Sequence, residues 1–189
     1  MDNTGKTTEK WFNIPNILTF FRFALIPLVI ILVVQNKMIW ALAAFLIACI
    51  TDLLDGFIAR KYNLISKLGI WLDPLADKCM ALAVLITFTF CRIVPFWVTV
   101  VILAKEVLML LGGFFALRNG HSTPSNKYGK IAAFILNVSI AAGFLCNLLY
   151  PWYLYAIYVA LAATLIAFAQ YAIKNVHLCF EKAPSKEDK

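Results

Sequence analysis

Charge is scarce in this sequence. Only 14% of its 189 residues are Asp, Glu, Lys or Arg and 62% are apolar, whereas soluble domains carry ~25% charged and about 45–50% apolar residues. That deficit excludes a disordered chain and a soluble globular enzyme. Paired cysteines are lacking too: Cys49, Cys79, Cys91, Cys146 and Cys179 lie scattered in apolar stretches, odd in number and without a C-x-x-C pair. They indicate neither a disulfide framework nor a zinc site, and read as small buried hydrophobes. The two histidines, His121 and His177, have no second ligand at suitable spacing and read as surface residues. Long polar stretches are also missing. Six membrane helices of about 20 residues would take ~120 positions and leave roughly 70 for tails and turns, with no room for a sizeable soluble domain.

What is present is apolar sequence in long runs, with a mean hydropathy of +0.82. Six candidate spans fall near 16–36, 38–60, 67–91, 93–118, 127–149 and 151–174. Short connections lie around Asn36-Lys37, Arg92 and Leu149-Tyr150-Pro151; Lys61 to Ser66 and Asn119 to Asn126 are polar and rich in turn formers. The expected architecture is an all-α integral membrane domain over 1–182, with a disordered tail over 183–189. No cleavable signal peptide is expected, because the first 15 residues are polar or mixed and the following run is long enough to span. The net charge of +7 fits basic cytoplasmic loops facing anionic headgroups rather than nucleic acid.

Orientation follows from where the bases sit. Lys6, Lys10, Arg60, Lys61, Lys67, Arg118, Lys127, Lys130, Lys174, Lys182, Lys186 and Lys189 fall on one side, and only Lys37 and Arg92 on the other. Both termini are therefore expected in the cytoplasm, with the chain passing repeatedly through a bacterial plasma (inner) membrane. Trp11, Trp40, Trp97 and Trp152 lie near the expected interfaces, where aromatic belts form.

Five of the acids, Asp52, Asp55, Asp73, Asp77 and Glu106, sit inside the apolar runs. An ionised carboxylate at membrane depth costs at least a few kcal/mol, so such residues point to a functional, polar cavity. Asp52, Asp55, Gly56 and Ala59 share one helix face at i, i+3, i+4, i+7, and Gly69, Asp73 and Asp77 share another at i, i+4, i+8. At 1.5 Å per residue, Asp55 lies about 7 Å and Asp52 about 12 Å from the cytoplasmic end of the second span. Asp73 and Asp77 lie about 9 and 15 Å into the third. An antiparallel pair thus converges four carboxylates toward the cytoplasmic side. Their mutual repulsion calls for cations, and an oxygen-only donor set favours two hard divalent ions, Mg²⁺ or Mn²⁺. Pairing with Arg60, Lys78 and Lys105 alone would leave the acids in excess. Arg22, inside the first span, has two options: reaching the interface or facing this cluster.

At these positions the sequence resembles the CDP-alcohol phosphatidyltransferase family. The family signature D-x2-D-G-x2-A-R-x8-G-x3-D-x3-D is matched by Asp52, Asp55, Gly56, Ala59, Arg60, Gly69, Asp73 and Asp77. Asn13 to Arg22 and Leu72 to Lys78 resemble the branch that holds phosphatidylglycerophosphate synthases and the cardiolipin synthases of this fold. The resemblance implies a six-helix membrane enzyme, a homodimer, that moves a phosphatidyl group from CDP-diacylglycerol to an alcohol and releases CMP. It further implies that Asp52, Asp55, Asp73 and Asp77 hold the metals, with Asp77 also the general base. Asp52, Gly56, Ala59, Arg60 and Gly69 would form the cytidine diphosphate site. Gly56 suits close approach of a nucleotide, and Arg60 suits a diphosphate oxygen.

The expected reaction is a direct displacement in which Asp77 deprotonates the acceptor hydroxyl and the alkoxide attacks the phosphorus bearing diacylglycerol. For glycerol 3-phosphate as acceptor, Lys105, Arg118, Lys127 and Lys130 are the candidate phosphate cations. Lys105-Glu106 stands where phosphatidylglycerophosphate synthases commonly carry Arg-Glu, and Pro124 to Ala132 resembles the cardiolipin-synthase side, so phosphatidylglycerol is the alternative acceptor. An intramembrane cation transporter is the rival of another class, but no acidic ladder continues across the far half of these spans. Intramembrane prenyltransferases lack the Gly56, Ala59, Arg60 spacing.

Overall fold

The computed structural model describes residues 14–61, 67–118 and 127–175, with side chains over 18–53, 75–112 and 128–173. The described residues form six helices and no strand: α1 (Ile14–Val34), α2 (Met38–Lys61), α3 (Lys67–Phe90), α4 (Phe96–Arg118), α5 (Lys127–Phe144) and α6 (Trp152–Asn175). They divide into two compact units, one reaching Thr87 and the other beginning at Phe88.

In the first unit α1 and α2 pack as an antiparallel hairpin. Between them lies a two-bond helix stop: Lys37 N–H reaches Leu32 O at 2.8 Å and Asn36 N–H reaches Val33 O at 2.9 Å. This stop needs a left-handed residue, and Asn36 supplies it with φ 59°. Lys37 O then accepts from Ala41 N–H at 3.0 Å, opening α2. The buried stripe of α1 is Thr19, Arg22, Leu25, Val29 and Val33, and that of α2 is Ala41, Ala44, Phe45 and Ala48. Both repeat at three- and four-residue steps. Small residues along α2 let the two backbones approach, as tightly packed membrane helices require.

The second unit repeats this device. Arg92 (φ 59°) ends α3 in the left-handed region, with Ile93 N–H bonded to Phe88 O at 2.8 Å and Arg92 N–H to Thr89 O at 3.1 Å. Phe88 and Ile93 are both buried, the apolar contact that accompanies such a stop. Along the α5–α6 seam the Ser139 hydroxyl lies 2.8 Å from both Ile135 O and Ala156 O, which share its single hydrogen across the two helices. Tyr153 Oη donates to Ile93 O at 3.0 Å, and Thr89 and Thr99 join their hydroxyls at 2.6 Å.

α5 ends at Phe144, five residues before the expected 149. Leu145 N–H and Cys146 N–H bond three residues back, to Ala142 O and Gly143 O, so the last turn tightens and closes. The residues beyond are still apolar, which is why hydropathy alone runs past this end.

Phe88 packs edge-to-face on Phe144 with ring centroids 4.9 Å apart. A Cβ on Gly143 would lie 2.6 Å from Phe88 Cε2, and that ring is fully buried. Gly143→Ala is therefore expected to lower stability by about 1–3 kcal/mol through overpacking. The denaturation midpoint in detergent checks this, and an unchanged midpoint would show that the ring gives way freely.

The exposed surface is rich in large apolar side chains, and a mainly apolar interior also holds a few polar groups. Phe20, Ile39, Trp40, Leu53, Phe90, Phe96, Phe134 and Ile173 are more than half exposed, while Thr19, Arg22, Lys105, Glu106, Ser139 and Thr164 are buried. Water does not favour so much exposed apolar surface. Among the described residues one helix, Trp152–Ile173, is by itself long and apolar enough to cross a membrane; Leu18–Val34, Met38–Leu53 and Tyr128–Phe144 are shorter apolar helices.

Candidate active site

The α1–α2 seam changes character at its deep end. Stepping back along α1 from Val33 and forward along α2 from Ala41, the buried apolar pairs give way to Arg22 and Asp52. Arg22 Nη1 lies 2.8 Å from Asp52 Oδ1. The arginine is 1% exposed, one of the most fully buried large side chains described, while the Asp52 side chain keeps 34% of its surface. Asp52 thus turns one side to a guanidinium inside the seam and another to open space. Arg22 faces Asp52 rather than the interface, and Thr19, buried one turn earlier, continues the stripe.

Asp77 enters from α3, half-buried, with Ala76 and Met80 buried beside it. Cys49 of α2, one turn before Asp52, lies in the electrostatic field of Asp77, Asp52 and Arg22 together. Two of the four motif carboxylates and the α1 arginine therefore bear electrostatically on one position of α2. Sequence reasoning read Cys49 as a plain buried hydrophobe and did not single out Thr19. Their spacing, three residues before Asp52 and three before Arg22, is the signal that would have found them.

Asp55, Gly56, Ala59 and Arg60 occupy α2 after Asp52, and Gly69 and Asp73 occupy α3 before Asp77; their side chains lie outside the described residues. So do those of Arg118 and Lys127, and the tail expected over 183–189. Of the remaining candidate acceptor cations, Lys105 is buried in α4 and paired through Nζ with Glu106 Oε1, whereas Lys130 on α5 is exposed. The structure gives these two lysines different surroundings. Among the described residues no group of three His, Cys, Asp or Glu side chains converges. The donors that are described suit a hard divalent ion all the same. Asp52 and Asp77 are half-buried carboxylates, the oxygen donors such an ion takes, and a cation already lies against Asp52.

The sequence comparisons meet this geometry on the same helices. The family model for CDP-alcohol phosphatidyltransferases matches residues 12–169. The chain belongs to the CDP-alcohol phosphatidyltransferase family. It is a membrane-integral transferase of phospholipid synthesis, as that membership entails. It is similar to a cardiolipin synthase (CMP-forming) of Streptomyces coelicolor, 36% identical over 143 residues, covering 72% of this chain and 66% of that one. It is likewise similar to the CDP-diacylglycerol–glycerol-3-phosphate 3-phosphatidyltransferase of Aquifex aeolicus, 28% identical over 178 residues, covering 90% and 99%. The Bacillus subtilis protein of that same name is 32% identical over 184 residues, covering 87% and 95%.

Proposed function

We propose that this phosphatidyltransferase takes CDP-diacylglycerol as donor and glycerol 3-phosphate as acceptor, giving phosphatidylglycerol phosphate and CMP. The observation that carries the reading is the Arg22–Asp52 pair at the deep end of the α1–α2 seam. Relatives named for this reaction are matched over 95% or more of their own length.

Asp52, Asp55, Asp73 and Asp77 would hold two divalent ions, Mg²⁺ or Mn²⁺. When bound, such ions neutralise diphosphate charge and make CMP a better leaving group. The chain's own residues do the rest. Asp77, on a helix anchored at Ala76 and Met80, accepts the proton of the acceptor hydroxyl as the oxygen attacks the phosphatidyl phosphorus. Asp52, Gly56, Ala59, Arg60 and Gly69 hold the cytidine diphosphate part, with Arg60 donating to its oxygens. Lys105, Arg118, Lys127 and Lys130 are the acceptor-phosphate cations in this reading. Arg22 fixes the Asp52 carboxylate from inside the seam.

In this reading the six helices all cross the bilayer, both termini are cytoplasmic, and the reaction takes place near the cytoplasmic face of a bacterial plasma membrane. Residues 1–182 form one catalytic domain that works as a homodimer, and 183–189 is a disordered tail. The many exposed large apolar side chains support the membrane placement.

A second acceptor, phosphatidylglycerol, is favoured by the similarity to the Streptomyces cardiolipin synthase. One experiment separates the two. Purified protein is given labelled CDP-diacylglycerol and, in parallel, glycerol 3-phosphate, phosphatidylglycerol, inositol phosphate and serine. Label in phosphatidylglycerol phosphate, dependent on added Mg²⁺ or Mn²⁺ and abolished by EDTA, is the expected result. Label in cardiolipin assigns the second reading, and turnover indifferent to EDTA removes the divalent ions from both.

A further inference from the structure

We propose that the α1–α2 hairpin carries a binding groove for an anionic phospholipid of the leaflet opposite the aspartates, with the phosphate at Lys37. The groove has a volume of about 460 Å³. Leu25, Leu28 and Leu32 of α1 and Ala43, Ala44 and Ile47 of α2 line its shaft. It is concave because two alanines stand where larger side chains would fill it: Leu25 and Ala44 form a buried floor, and Leu28 and Ile47 rise as exposed walls. Phe21 closes one end, while Lys37 and Trp40 flank the other.

Length and polarity decide the occupant. From Phe21 to Leu32 the helix rises about 16 Å, about half of a hydrocarbon core of ~30 Å, the depth of a single leaflet. The apolar shaft therefore suits one acyl chain. All its charge lies at the turn end, where Lys37 is held beside the Asn36 helix stop and Trp40, 69% exposed, has the amphipathic ring favoured at headgroup level. No acidic residue lines the groove, so a second copy packed here would cover a lysine without answering it; a lipid phosphate answers it directly. Lys37 is also a cation on the side of the membrane where cations are disfavoured, a step that rests on the six-span orientation proposed above. Along α2 it stands about 22 Å from Asp52, so this lipid is not the substrate.

The test uses the full-length protein, delipidated in detergent and offered dioleoyl phosphatidylserine or dioleoyl phosphatidylcholine, neither of them an acceptor considered above. Lipid retention is read by native mass spectrometry, and stability by the unfolding midpoint. Retention of phosphatidylserine about fivefold above phosphatidylcholine is expected, the size of one lysine's contribution at an anionic surface. Lys37→Gln should erase the preference and Lys37→Arg restore it. Ala43→Phe, at an exposed position, should fill the shaft and reduce retention of both lipids. Equal retention by the wild type, or an unchanged preference in Lys37→Gln, would overturn the proposal. So would an equal rise in midpoint with inorganic phosphate, or a cross-linked dimer through Ala43→Cys. Transfer from labelled CDP-diacylglycerol is measured separately, so failure of the groove and failure of the enzymatic reading are distinguishable.

Discussion

Asp77→Asn is expected to lower turnover by about 10²–10⁴-fold, the range for loss of a general base, while CDP-diacylglycerol binding changes by only a few-fold. Asparagine keeps the shape of the side chain and loses the basic oxygen. α3 holds that side chain in place, because Ala76 is fully buried immediately before it and Met80 is buried one turn on. The substitution should therefore leave the helix and the neighbouring Asp52 undisturbed. A loss of metal affinity would mimic the loss of a base, so the assay is run across a Mg²⁺ titration. If Asp77 serves only as a ligand, high Mg²⁺ restores turnover; if it accepts the proton, turnover stays low at saturation while donor binding, followed with labelled CDP-diacylglycerol, recovers. Near-normal turnover at ordinary Mg²⁺ would remove Asp77 from both roles.

The helices were legible in the sequence because each is a long apolar run stopped by an identifiable residue. Asn36, Arg92 and Pro151 mark connections that the fold contains, and four of the six expected segments match to within two residues at both ends. The fourth starts at Phe96 rather than 93, since Pro95 and the Arg92 stop hold the chain out of the helix. α5 stops early through hydrogen bonding that composition does not encode. At the site, periodicity placed Asp52 on a helix face but could not say what that face meets. The reason is that an arginine in an apolar run satisfies two opposite geometries, snorkelling outward or burial against an acid, and only the partner helix decides. The hairpin turn at Asn36 makes that decision: it sets the register in which Arg22 arrives opposite Asp52.

That register leads to an asymmetric pair of mutants. Asp52→Asn leaves the Arg22 guanidinium, 1% exposed, without its carboxylate, whereas Arg22→Met leaves a carboxylate that keeps a third of its surface and remains open to water and ions. Breaking a fully buried pair costs about 3–5 kcal/mol, and the exposure of Asp52 reduces this. A destabilisation of roughly 2–3 kcal/mol is expected for Asp52→Asn, and about 1 kcal/mol for Arg22→Met, whose side chain fills much of the same seam. The double substitution should regain part of the loss, because it removes both members of the pair together. Denaturation midpoints in EDTA measure all four members of the cycle. Repeating them with Mg²⁺ adds a second readout: the Arg22→Met protein, with the guanidinium gone from beside Asp52, should gain more from the ion than the wild type does. Additive single effects together with an equal Mg²⁺ response would show that Arg22 and Asp52 are neighbours without being coupled, and that α1 contributes packing alone to the site.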